Sequence, residues 1–147
     1  MDYVGTILFF IENSKLYFLI PYDSNHKLHL PTKLKSVDEP EVSCAFASIP
    51  SSLNISQKDI QYIGTSNLSS SNNHSKSSMF SINFTDKISG DKKIVFLAKL
   101  LPNYFQKFPN PIPNLWVFID IENKFSCSLL SDQMLLKLDA AKEIIMS

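Results

Sequence analysis

Val4–Ile11 is dominated by Ile, Leu and Phe, an apolar run of strand length that predicts a buried strand. Glu12-Asn13-Ser14 breaks the run as a turn, and Lys15–Pro21 (KLYFLIP) repeats it, so the two segments predict a hairpin. Tyr22–Lys27 is a polar loop and Leu28–Asp38 is irregular. Glu39-Pro40-Glu41 has the marks of a helix start, because proline needs no N–H in the first turn and acids suit the positive end of the helix dipole. Val42, Ala45, Phe46 and Ile49 then recur at helical spacing, and Pro50 stops the helix, giving a short one over Pro40–Ile49. Ile60–Asn67, Met79–Phe84, Lys93–Leu101 and Leu115–Ile121 predict four more strands. The Ser/Asn-rich run 67–78, which includes His74, predicts a flexible loop, and Asp86–Lys93 around Gly90 a hairpin turn. The proline-rich stretch from Pro102 to Pro113 predicts an ordered loop rather than a helix. Asp132–Met146 carries Met134, Leu135, Leu138, Ala141, Ile144 and Ile145 on one face, a helix that Ser131 or Asp132 can cap.

The resulting order, β-β-α-β-β-β-β-α, predicts one α+β domain over residues 1–147, with a mixed sheet between two helices. A length of 147 residues with 44% hydrophobic positions is enough for a real core. Charge narrows the partners: 14 basic residues balance 14 acids, which gives no electrostatic pull toward nucleic acid or membrane. All the basic residues are lysines, and the absence of arginine argues against sequence-specific DNA reading; an AT-rich genome accounts for the same bias. Cys44 and Cys127 stand alone, without the spacing of a disulfide framework or zinc site. Met1-Asp2-Tyr3 has no basic leader, and the apolar run through Ile11 is too short to span a bilayer, so the expectation is a cytoplasmic protein with no membrane partner.

The opening hairpin, the loop and short helix after it, and the closing strands with Trp116 before a last helix resemble the Nudix hydrolase superfamily. In layout they are most similar to the diadenosine-tetraphosphate hydrolase and decapping branches. The Nudix box, G-x5-E-x7-R-E-U-x-E-E-x-G-U with U aliphatic, can be laid on the chain without a gap, starting at Lys33. Glu39, Ile49 and Ile55 fit the frame. Ala47 falls on the arginine, Ser48, Ser51 and Ser52 on the three helix glutamates, and Asn54 on the last glycine, where it can still adopt a left-handed conformation. Leu30-Pro31 and Ala45 also sit where the family has similar residues. The resemblance implies a Nudix-like α/β/α sandwich with a degenerate box.

In such a box the glutamates hold divalent cations that neutralise a diphosphate and activate water. Serine hydroxyls lack the charge for that. The expectation is therefore a catalytically inactive protein without catalytic or metal-binding residues and without a cofactor. It would serve as a nucleotide-binding or macromolecular binding module. Two alternatives stand beside it: an accessory factor of a ribonucleoprotein such as a ribosome-associated protein, and a divergent dinucleoside polyphosphate hydrolase. The latter would use Mg2+ with Glu39, Glu41 and an acid such as Asp120 or Glu122. Expected partners are an adenine nucleotide or dinucleotide, or a protein or ribonucleoprotein. Candidate ligand-binding residues are His29, Lys33, Lys35, Glu39, Lys93 and Tyr104. His26 and His29 flank Lys27 near the expected phosphate side, and Tyr104, Phe105 and Phe108 could stack on a base or pack across the sheet edge.

Overall fold

A computed structural model describes residues 1–64, 80–107, 116–123 and 128–146. The first strand, β1 (Asp2–Glu12), turns through Asn13 and Ser14, both at positive φ (52° and 66°), into β2 (Lys15–Pro21). Two consecutive left-handed residues match the twist of a tight hairpin, and Glu12 pairs with Lys15 to close it. β3 (Thr32–Leu34) lies on the same edge of β1, nearer its start, in the segment expected to be irregular. Gly5 makes that approach possible, since a Cβ there would sit 2.5 Å from the Pro31 carbonyl oxygen.

After α1 (Glu41–Ala47) the chain makes two 3-10 turns, Ser51–Leu53 and Gln57–Asp59, and enters β4 (Ile60–Tyr62). β5 (Ser81–Thr85) and β6 (Lys92–Leu100) form a hairpin whose turn uses Gly90 at φ 77°. α2 (Pro102–Phe105), β7 (Trp116–Ile119) and α3 (Asp132–Met146) complete the described chain. α2 corrects the expectation of a loop: Pro102 occupies the first turn, where a missing N–H costs nothing, and Tyr104 is buried behind it. The Ser/Asn-rich run and Phe108–Pro113 lie outside the described residues.

The seven strands form one mixed sheet in the order β4-β6-β1-β2-β7, with β3 beside β1 and β5 beside β6. β1 and β6 run parallel at the centre, and every other pair is antiparallel. Strand alternation divides the core in two. Ile7, Phe9, Phe18, Ile20, Val95 and Leu97 face α3 and meet Met134, Leu138 and Ala141. On the opposite face Val4 and Phe96 meet Cys44 and Ala45 of α1, while Leu8, Leu19, Ala98 and Leu100 meet Leu53, Tyr104 and Trp116. The expected sandwich of a mixed sheet between two helices is therefore present. Ser131 caps α3, accepting the Met134 N–H at 3.1 Å on its hydroxyl. Among the described residues no helix is long and apolar enough to cross a membrane.

Candidate functional site

α1 is pinned to the sheet through a buried threonine. Pro40 enters in an extended conformation, Glu41 sits in the first turn, and Cys44 and Ala45 face the sheet. Thr6, 4% exposed, donates its hydroxyl to the Ala45 carbonyl at 2.8 Å. With that hydrogen committed, the Tyr62 hydroxyl donates to Thr6 Oγ1, also at 2.8 Å. Ser48 ends the helix and folds its own Oγ back to Ala45 O at 2.6 Å. Pro50, extended, then separates α1 from the turn Ser51–Leu53. Asn54 closes that turn in the left-handed region, at φ 53°, ψ 46°.

The charged loop before α1 is closed on itself. Lys33 Nζ meets Glu39 Oε2 at 3.0 Å, and the other Glu39 oxygen accepts the Ser36 N–H at 3.2 Å. The Lys33 ammonium holds the Glu39 carboxyl below its usual range, and Glu39 raises Lys33 in turn. Cys44 lies beneath them with Sγ 3.6 Å from Lys33 O, and burial pushes its thiol up. A high thiol pKa means little thiolate, so Cys44 is not a poised nucleophile.

The other candidate residues do not converge on this loop. Lys35, half-buried, donates to the neighbouring Ser36 carbonyl. His29 belongs to the preceding loop, where its backbone N–H bonds Pro21 O at 3.2 Å and its buried Nδ1 has no hydrogen-bond partner among the described residues. Two further candidates lie apart from the loop. Lys93 stands opposite Tyr3 and Phe84 in register, so it shares the α3 face, whereas Lys33 stands opposite Val4 on the α1 face. Tyr104 is fully buried and donates its hydroxyl to Leu53 O at 2.9 Å, which makes it core rather than a stacking surface. Asp120 and Glu122 line a cleft with Lys142 and Met146 of α3, and Glu122 pairs with Lys142.

Around α1 there are two spaces of very different size. The notch between the end of α1 and the sheet, walled by Thr6, Leu30, Pro31, Ile49, Pro50 and Leu53 among others, has a volume of about 10 Å³. That is room for roughly one water. On the other flank of α1, Val42, Ser43, Phe46, Gln57, Ile60 and Tyr62 line an open groove of about 290 Å³.

A buried carboxylate braces the end of this region. Asp59, 1% exposed, accepts from Ser56 N (2.8 Å), Ser56 Oγ (3.0 Å) and Asn103 Nδ2 (2.9 Å), and forms an ion pair with Lys107. Burial alone would raise its pKa; the Lys107 ammonium and the Ser56 bonds outweigh burial and hold it below the usual range. Lys107 also reaches Asn54 O at 3.1 Å, tying α2 to the turn after α1. Sequence reasoning passed over Asp59. The available signal was Ser-x-x-Asp at positions 56–59, a capping box that the structure forms in full.

No protein-family model and no curated protein matches the sequence. Solved structures do match. The C. elegans Ap4A hydrolase superposes over 95% of this chain and 96% of its own, with a TM-score of 0.62 at 16% identity. The M. smegmatis Nudix hydrolase RenU superposes over 99% and 86%, with a TM-score of 0.65 at 9% identity. The Nudix domain of Shewanella oneidensis NrtR, in complex with ADP ribose, superposes over 98% and 88%, with a TM-score of 0.50 at 11% identity. The fold is that of the Nudix hydrolases.

Nudix hydrolases place metal-binding glutamates along one helix, so the same segment can be tested for a divalent cation. Its residues do not fit one. Position 48 ends α1, while positions 51 and 52 lie on a separate 3-10 turn beyond Pro50, and all three are serines. The nearby carboxylate, Glu39, is paired to Lys33. Among the described residues no three His, Cys, Asp or Glu side chains gather as a metal site. Asn54 adopts the left-handed conformation expected of it from the sequence.

Proposed function

We propose that the chain is a Nudix-fold binding module that has given up hydrolysis and recognises an adenine nucleotide beside α1. The observation carrying this reading is the division of Ser48, Ser51 and Ser52 between two segments by Pro50. A box whose one remaining carboxylate, Glu39, is paired to Lys33 and whose helix is interrupted cannot hold Mg2+ against its hydration shell, and the chemistry of diphosphate cleavage depends on that ion. The notch beneath the helix end is closed by apolar side chains, whereas the groove on the other flank is open. Its size, about 290 Å³, is at the lower edge of the range for small-molecule sites, roughly 300–1,000 Å³. That suits a nucleobase with its ribose better than an entire dinucleoside polyphosphate. Phe46 and Tyr62 offer ring surface, and Ser43 and Gln57 offer hydrogen bonds to a base edge. The adenine-containing compounds named with two structural neighbours, Ap4A and ADP ribose, support the choice of ligand.

Thermal shift with ADP ribose and with Ap4A, in EDTA and again in Mg2+, tests the reading. Binding raises the melting temperature by mass action. The expected result is a rise that needs no metal and that is lost in Val42→Asp, which puts a charge on the groove wall. No rise with either ligand, or a rise that is unchanged in the variant, overturns the assignment.

A further inference from the structure

The sheet face away from α1 carries two half-buried lysines with no use in the reading above. Lys93, on β6, stands directly opposite Phe84 on β5. Lys137, on α3, holds its Nζ 4.9 Å from the centre of the Phe84 ring. A half-buried ammonium ordinarily has a counter-ion, because it has given up part of its hydration. Among the described residues neither lysine forms an ion pair. The helix itself supplies no acid: one turn either side of Lys137 stand Gln133, Met134, Ala140 and Ala141.

The acids of the neighbouring turn are already engaged. Asp86, whose charge Lys137 feels, has Oδ1 bound to the N–H groups of Ile88 (2.8 Å) and Ser89 (3.3 Å). Asp91 pairs with the N-terminal ammonium at 3.4 Å. The excess positive charge registers on Lys137, whose pKa is lowered first by burial and then by the charge of Lys93, with Asp86 opposing.

We propose that Lys93 and Lys137, both beside Phe84, form a binding site for the phosphate group of a small phosphate ester. Two ammonium groups supply the charge that a phosphate dianion needs, and the ring gives an apolar surface against which the organic part of the ester can lie. The site is on the opposite side of the sheet from α1, so it stands or falls independently of the nucleotide groove.

The test is an NMR titration of full-length protein carrying 13C-labelled lysine, at constant ionic strength, with inorganic phosphate in one series and phenyl phosphate in another. The expected result is a saturable shift of the Lys93 and Lys137 ε-CH2 signals, with phenyl phosphate saturating at lower concentration and the exposed Lys58 following only the linear drift of a solvated lysine. Lys93→Gln and Lys137→Gln should each abolish the saturable component, and Lys137→Arg, which preserves charge and folding, should retain it. Linear drift at all three lysines, or saturable shifts that survive Lys93→Gln, would overturn the proposal. Saturation by inorganic phosphate with no gain from phenyl phosphate would overturn the role of Phe84 and the assignment to an ester.

Discussion

Replacing the almost fully buried Asp59 by Asn removes one negative charge from a polar cluster while keeping the shape of the side chain. Four interactions converge on the carboxylate, from Ser56 N, Ser56 Oγ, Asn103 Nδ2 and Lys107 Nζ. An amide can still accept through its oxygen, so the two Ser56 bonds survive. Its nitrogen then faces one donor, Asn103, while Lys107 keeps an oxygen acceptor but loses its counter-charge. Losing a charge-assisted bond costs about 1.5–3 kcal/mol and disrupting a neutral one about 1. Lys107 keeps 29% of its side chain exposed and regains water, which holds the total to about 3 kcal/mol, at the low end for a broken buried pair. For a chain of this size that is roughly a 10 °C fall in melting temperature. Urea unfolding followed by far-UV circular dichroism should show a lower midpoint with an unchanged slope. The pH dependence carries the sign. The folded pKa of Asp59 is depressed, so its stabilisation is full above the ordinary aspartate value, about 3.9, and is lost as pH falls through the lower folded value. Wild type and variant should therefore converge as acid is added below that point. A variant within about 0.5 kcal/mol of wild type at neutral pH, the scatter of an ordinary surface change, would refute the view that Asp59 braces α2 against the turn after α1.

Thr6→Val keeps the shape but leaves Ala45 O with one bond fewer and Tyr62 without its acceptor; a loss of about 1–2 kcal/mol in urea unfolding is expected. Gly5→Ala drives a Cβ into the Pro31 carbonyl and should cost about 1–3 kcal/mol, with amide exchange accelerating in Thr32–Leu34 before the rest of the sheet. Asn54→Ala, in a left-handed conformation, should lower stability by about 1–2 kcal/mol, whereas Asn54→Gly should be close to neutral. Equal effects from the two Asn54 substitutions would mean that the conformation at that position carries no strain.

Much of the fold was legible because hydrophobic period and punctuation agreed. β2 and α3 have the bounds that their apolar patterns predict, and the Asn13-Ser14 turn falls where the first run breaks. β3 was hidden because three residues are too few to carry a period and because their pairing depends on a glycine, Gly5, far away in sequence. α2 was hidden by the prolines around it, although Pro102 at its start is a position where proline favours a helix. The site was legible only along the chain. Lys33 and Glu39, six residues apart, do meet. Lys93 and Tyr104 could not be placed without the sheet register that sends one to the opposite face and the packing that buries the other. Asp59 was missed because a single acid reads as surface until its partners, Asn103 and Lys107, are brought beside it by the fold.

The central claim is that the Nudix fold is kept while the place for its metal is gone, and Mn2+ tests it at residue level. A paramagnetic ion broadens nearby amide signals, so 15N-labelled protein titrated with Mn2+ reports where the ion resides. The account predicts no saturable broadening centred on Ser48, Ser51 and Ser52, with only weak, scattered effects at exposed carboxylates. Saturable broadening that spreads from those serines and Glu39 would contradict it and return the chain to the metal-dependent hydrolases.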